Sequence, residues 1–319
     1  MKFTNIENVI HEFYCPYHKN ENLTLKHQEN NGELIISSEN KNYKIIDNII
    51  EFCSLNELQE EPHKLREVEG IDKAHKQYQG AALVGRWNDY ILHLRMVKLK
   101  LLIEELFQDD VSTLVFLGSG AGTEITQILE MDKNKKIKRV LASDISLNAC
   151  KISAQRLEKY DIEATIFSSD LDYCPVKKNT NYPIVIIDAL HHTPDMHKSI
   201  EKLLAYGYKN IYFVEPTNNL IIKLLEKFGL ARRMEYSGLI PGRLEIERLK
   251  TMANEYQYSL KINTIWEFPA DYYRKLFGSL ASKKTVEKLF LSTIDAISYV
   301  TNFIKSGNSS IVHLKKKNV

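Results

Sequence analysis

The sequence places chemistry-bearing residues at four points of one repeating pattern. The first is the stretch TLVFLGSGAGTEI, residues 113–125, where an apolar run leads into Gly118, Gly120 and Gly122. Backbone this bare can adopt positive φ and lets a ligand approach main-chain N–H groups closely. The spacing G-x-G-x-G is not that of a phosphate loop, because no Lys-Ser/Thr pair follows, nor that of a dinucleotide fingerprint, because position 123 is Thr. The second point is Asp144, which closes VLASDIS. A carboxylate there can accept both hydroxyls of a ribose, or it can cap the helix SLNACKISAQRL. The third is FSSDLDY, where Asp170 can accept an exocyclic amine while the next backbone N–H meets a ring nitrogen; the alternative is an ordinary loop acid. The fourth is IDALHHTPD, with Asp188, His191 and His192 as titratable groups. Histidine titrates near neutral pH and suits general-base work, with His191 and Asp188 as the leading candidates. The bland alternative is that LHH only builds the turn into the next helix.

Such residues need a scaffold that brings strand ends together. From about residue 109, strand-like runs (STLVFL, KRVLASD, EATIFSS, PIVIIDA, NIYFVEP) alternate with amphipathic segments such as TEITQILEM. Continuous apolar strands between helices predict a parallel sheet covered on both faces, with ligands beyond the carboxyl ends of the strands. Before it, about 57–108 reads as a long helical stretch. The first 55 residues hold short strand-like pieces, NLTLKH, GELIISS and YKIIDNIIEF, between turn residues. After residue 231 the alternation breaks. A helix, a long strand YSLKINTIWEF, two helical segments and a closing strand SSIVHLKKK follow. The helix KKTVEKLFLSTIDAISYVTNFI aligns Val286, Leu289, Phe290, Ile294, Ile297, Val300 and Ile304 on one face, which predicts packing on its own domain rather than on a membrane.

The 43 basic and 41 acidic residues nearly balance, which argues against a nucleic-acid-coating surface. No secretory signal and no membrane-spanning run is visible, and four widely spaced cysteines without C-x-x-C point to a reducing, cytoplasmic setting.

The series LVFLGSGAGTE, LASDIS, FSSDLD, IVIIDALHHTPD and IYFVEPTNN, over about residues 75–230, resembles the class I S-adenosylmethionine-dependent methyltransferases, particularly the broad type 11 group. The resemblance implies a doubly wound, mostly parallel seven-stranded Rossmann-like α/β sheet. It implies S-adenosylmethionine as cofactor, with S-adenosylhomocysteine as product. The cofactor would be held by Gly118, Ser119, Gly120, Gly122, Asp144, Ile145, Asp170, Leu171 and Asp188. One residue departs from the pattern. Phe116 stands where such proteins carry an acid that supports the loop and the cofactor's amino group.

The first zone, from CPYH to IIEF, is similar to the small zinc-ribbon module of tRNA-methyltransferase activators. Its closing pattern survives as Tyr43, Ile45, Asp47 and Ile49. Its ligand positions hold Cys15 and His18, then Ile36 and Glu39, so a metal-free remnant is expected, since structural zinc needs four good ligands. The organisation expected is a degenerate ribbon at 1–55, a helical lid or linker at 56–108, and the cofactor domain at 109–319, with a helical insertion at about 268–306.

Methyl transfer from a sulfonium is an in-line displacement that needs positioning and exclusion of water. Walls for an acceptor are expected from Tyr78 and Arg86, with Trp87 and Tyr90, and from Tyr272 and Tyr273, with Phe268 and Arg274. Aromatic walls suit a small organic acceptor methylated on oxygen or nitrogen, such as a sugar or secondary-metabolite intermediate. The alternatives are an RNA base and a non-catalytic cofactor-binding partner protein.

Overall fold

In the computed structural model, residues 2–3, 6–18, 21–27, 34–78, 89–227, 242–268, 273 and 276–317 are described. Strands β6 (Thr113–Leu117), β7 (Arg139–Asp144), β8 (Glu163–Ser168), β9 (Ile184–Ile187) and β10 (Asn210–Pro216) are parallel to their neighbours, in the order β10-β9-β6-β7-β8. They are mostly apolar and mostly buried, as strands covered on both faces are. Strand β12 (Ser309–Lys316) turns back antiparallel beside β10, and β11 (Tyr258–Ile265) pairs with β12. This is a mixed α/β, Rossmann-like arrangement.

The expectation of seven strands is corrected. Among the described residues the hydrogen-bonded path holds eleven, because β5 (Ile49–Glu51), β4 (Asn42–Ile46), β3 (Leu34–Ser37) and β2 (Thr24–His27) continue it beyond β8. A short β1 (Lys2–Phe3) also pairs with β8, off that path. The reason lies in the free edge of β8. Its outer N–H and C=O groups need partners, and β1 takes them at Glu163 and Ala164 while β5 takes them at Phe167 and Ser168. The join is apolar as well: the rings of Phe13, Phe52 and Phe167 meet with centroids 5.3 to 6.0 Å apart. Segment YKIIDNIIEF, read as one strand-like piece, is a hairpin. Asp47 and Asn48 both take positive φ, 52° and 62°, the backbone of a tight two-residue turn between twisted strands.

The long helical stretch resolves into α1 (Pro62–Tyr78) and α2 (Asp89–Leu106). Between the strands lie α3 (Thr123–Met131), α4 (Leu147–Leu157), α5 (Met196–Tyr206) and α6 (Leu220–Lys227). Helices α7 (Ile246–Glu255) and α8 (Lys284–Phe303) flank β11. Helix α8 packs on its own domain through Ile294, buried beside Leu94, and through Phe290, which meets Phe268 and Tyr273, while Leu289, Ile297, Val300 and Ile304 of the expected face are exposed. No helix among the described residues is long and apolar enough to cross a membrane.

Candidate functional site

Three carboxylates end three of four adjacent strands. Asp144 closes β7, Asp170 follows β8 and Asp188 follows β9, with the glycine loop after β6 between the first and the last. Gly118, Gly120, Asp144, Ile145, Asp170, Leu171 and Asp188 line one cavity of about 260 Å³. Adjacent strands lie about 4.8 Å apart, so the row from Asp188 to Asp170 spans roughly 14 Å.

The loop is built by its glycines and by Asp144. Gly118 has φ +64°, and a Cβ there would sit 2.6 Å from Cβ of Ala189. Gly120 has φ +52° with open space beside it, and its N–H donates to Asp144 Oδ2 at 2.8 Å. Asp144 Oδ1 accepts from the Ser146 N–H at 3.0 Å, while Ser146 rather than Asp144 caps α4 through Ala149 N–H. Burial raises the Asp144 carboxyl above its ordinary range, opposed by those two backbone donors. Ser119 and Gly122 do not line the cavity. The Ser119 N–H donates to Ser143 O at 2.8 Å, and the Gly122 N–H donates to Ser119 O at 2.9 Å, so both hold the turn. Phe116 is buried in the core, and a void of about 10 Å³ lies beside it, lined also by Ser119 and Glu124. Glu124 pairs with Arg95 at 2.7 Å.

Asp170 meets a partner that local sequence does not announce. Lys64 of α1 reaches its Oδ2 at 2.5 Å, and Oδ1 accepts from the Asp172 N–H at 2.9 Å. Both side chains are buried. Burial works against the charge of Lys64, but Asp170, Glu61 and Asp172 outweigh it and raise its pKa. Burial also pushes Asp170 upward, and the Lys64 ammonium only moderates this. The same helix places Lys64, Glu67 and Ile71 on the cavity wall, spaced as one helical face. That spacing was present in the sequence, but it looks like any solvated helix face.

Asp188 carries a left-handed backbone, φ 49°, at the end of β9. Its Oδ2 accepts from Lys98 of α2 at 2.7 Å. Lys98 is buried and also meets Glu267 at 2.8 Å. Burial would raise the Asp188 carboxyl, but Lys98, with His191 and Arg95 nearby, holds it below its ordinary range.

The two histidines divide. His191 does not line the cavity; its Nδ1 lies 2.7 Å from Oε2 of the fully buried Glu215. That carboxylate also collects the N–H groups of Ala189, Leu190 and His191, so it fastens the turn after β9. His192 does line the cavity, with its Nδ1 3.1 Å from Glu67 and its carbonyl 3.0 Å from His63 Nε2.

Of the expected acceptor walls, Tyr273 and Phe268 are described, and neither lines this cavity. Tyr273 is buried, donates to Ala281 O at 3.1 Å and packs on Phe277 and Phe290, against which Phe268 also stands edge-on. Arg86, Trp87, Tyr272, Arg274 and the side chains of Tyr78 and Tyr90 lie outside the described residues. At the front of the chain Cys15, His18 and Glu21 lie within 4.8 Å of one another, whereas Ile36 is core and Glu39 exposed. Cys15 Sγ sits 2.9 Å from the Tyr43 hydroxyl. All four cysteines are free thiols.

No protein-family profile matches the sequence, and no curated protein matches it. Among solved structures, the chain is similar to magnesium protoporphyrin IX methyltransferase from Synechocystis PCC 6803 with bound SAH. Identity is 11%, coverage 72% of this chain and 84% of that one, and the TM-score 0.46. A Thermotoga maritima protein described as a possible histamine N-methyltransferase is 10% identical, covering 78% and 99%, with a TM-score of 0.46. The small RNA methyltransferase HEN1 is 13% identical over 70% of this chain and 25% of that one, with a TM-score of 0.47. Likenesses this distant leave the reading of function to the site itself.

Proposed function

We propose that the cavity binds S-adenosylmethionine and that the protein is a methyltransferase. The observation that carries this reading is the charge of the wall. Glu67, Asp144, Asp170 and Asp188 supply four carboxyl groups against a single ammonium, Lys64, across strand ends that match a nucleoside with a short amino-acid tail. Such a wall repels the diphosphate of a dinucleotide and welcomes a ligand that is cationic and rich in hydrogen-bond donors. S-adenosylmethionine is both, through its sulfonium, its ammonium, its ribose hydroxyls and its adenine amine. Asp144 would receive the ribose. Asp170, with the Leu171 N–H, would meet the adenine edge, and Gly118 and Gly120 would lie against the thioether chain.

When bound, the cofactor supplies an electrophilic methyl group, and the chain's own task is to orient an acceptor and exclude water. An acceptor that loses a proton needs a base, and His192 suits that role better than His191, because it is on the cavity wall with Glu67 fixing its Nδ1. His191 is committed to Glu215 and to the turn. A small-molecule acceptor fits the anionic wall better than the phosphate backbone of RNA. Calorimetric titration of the full chain with S-adenosylhomocysteine and with NAD tests the reading. Micromolar binding of the first and none of the second is expected; failure to bind the sulfur nucleoside would sink it. Transfer of labelled methyl to members of an acceptor panel then separates an enzyme from a non-catalytic binder.

A further inference from the structure

The carboxylate missing at Phe116 has a counterpart on the neighbouring strand. In the sheet, Phe116 pairs with Val185 of β9, and Asp188 stands three residues further along that strand's exit. Ala189 beside it touches the space over Gly118, so Asp188 borders the same stretch of loop that an acid at position 116 would serve. Among the cavity carboxylates at strand ends, Asp144 and Asp170 each have both oxygens engaged. Asp188 has only Oδ2 engaged by a described residue, through Lys98.

Lys98 does not neutralise this region. One ammonium is shared between two carboxylates, Asp188 at 2.7 Å and Glu267 at 2.8 Å, leaving a negative charge over. Glu267 is held in place for the purpose, since Asn308 accepts from its N–H at 2.6 Å and donates to its carbonyl at 2.7 Å. The neighbouring Arg95 has its own carboxylate in Glu124. The surplus negative charge faces the cavity through Asp188, which is where a ligand's cation would arrive.

Resting on the cofactor reading above, we infer that Asp188, with its charge kept available by the Lys98–Glu267 pair, receives the ammonium of the cofactor's amino-acid tail and so replaces the acid absent at position 116. The site is a specificity device. It rewards ligands that carry the aminocarboxypropyl tail over those that carry the adenosyl group alone.

The test compares two probes by calorimetry on the full chain: S-adenosylhomocysteine, which has the tail, and 5′-methylthioadenosine, which lacks it. Asp188→Asn is expected to weaken S-adenosylhomocysteine about 10- to 100-fold, the range of one charge-assisted hydrogen bond, and to leave methylthioadenosine within about twofold. Phe116→Glu in the Asp188→Asn background is expected to recover part of the loss. Should Asp188→Asn not fold, Glu267→Gln serves instead. Giving Lys98 wholly to Asp188 would lower S-adenosylhomocysteine affinity several-fold, again with methylthioadenosine unmoved. Equal losses for both probes, or no loss for either, would overturn the inference while leaving the cofactor reading in place. A wild-type protein that binds neither probe would overturn both.

Discussion

Two lysine–aspartate pairs stand at opposite ends of the same cavity, and they do different work. Lys64 and Asp170 are both buried, and Lys64 itself is on the cavity wall, so that end carries its positive charge inward. Lys98 is buried behind Asp188, and its charge is divided with Glu267, so that end presents a carboxylate. The contrast teaches that an ion pair's contribution depends on which partner meets the ligand. The first pair ties α1 to the sheet; the second leaves a carboxylate facing the cavity.

Stability should separate the ends most strongly. Lys64→Met leaves a buried carboxylate without its counterion, a loss of about 3–5 kcal/mol in urea unfolding. Lys98→Met should cost less than about 3 kcal/mol, because Asp188 and Glu267 are about a third exposed and can be solvated. Equal losses would break the contrast.

Binding sharpens it from the middle of the row. Asp144 lies between the two ends and is tied to no lysine by any ion pair among the described residues; its oxygens accept from the Gly120 and Ser146 N–H groups. Asp144→Asn should weaken S-adenosylhomocysteine about 100-fold by calorimetry, through two charge-assisted bonds to ribose. A loss below threefold would leave the loop as its only client.

Acid titration gives the smallest and most discriminating effect. Asp188 has a depressed folded pKa, so its stabilisation is complete above about pH 4 and is lost as pH falls through that lower value. Asp170 has a raised folded pKa, so its ionisation opposes folding as pH rises through it, and acid relieves that cost. Asp188→Asn should therefore flatten the loss of stability as pH falls below about 4, and Asp170→Asn should not. Flattening by both would show that the two ends titrate alike.

Much of this was legible in the sequence, for reasons that differ by residue. The strand–helix alternation, the glycine loop and Asp144 are local patterns, and local periodicity carries them. Asp170 and Asp188 were legible as strand-end acids, but their lysines were not. Lys64 lies 106 residues from Asp170 and Lys98 lies 90 from Asp188, and nothing in a helical period says which face will meet a distant carboxylate. The hairpin at Asp47–Asn48 was missed because an apolar run on both sides hid the turn. The eleven-strand path was missed because pairing along the edge of β8 is decided by hydrogen bonds between distant segments. The face of α8 was legible only in part, because amphipathic spacing shows that a stripe exists and not how much of it is covered.

The way the first zone joins β8 also changes what counts as a removable piece. An appendage tethered by a linker can be cut away, and the remainder keeps its shape. Here the front of the chain is mortar: Phe52 donates its N–H to Ser168 O, and the Ser168 hydroxyl returns a bond to Cys53 O, within two residues of Asp170. A protein trimmed to begin at α1 would bare a sticky strand margin and loosen the Asp170 end of the pocket together, so a segment's place at the front of the sequence is no guide to its dispensability.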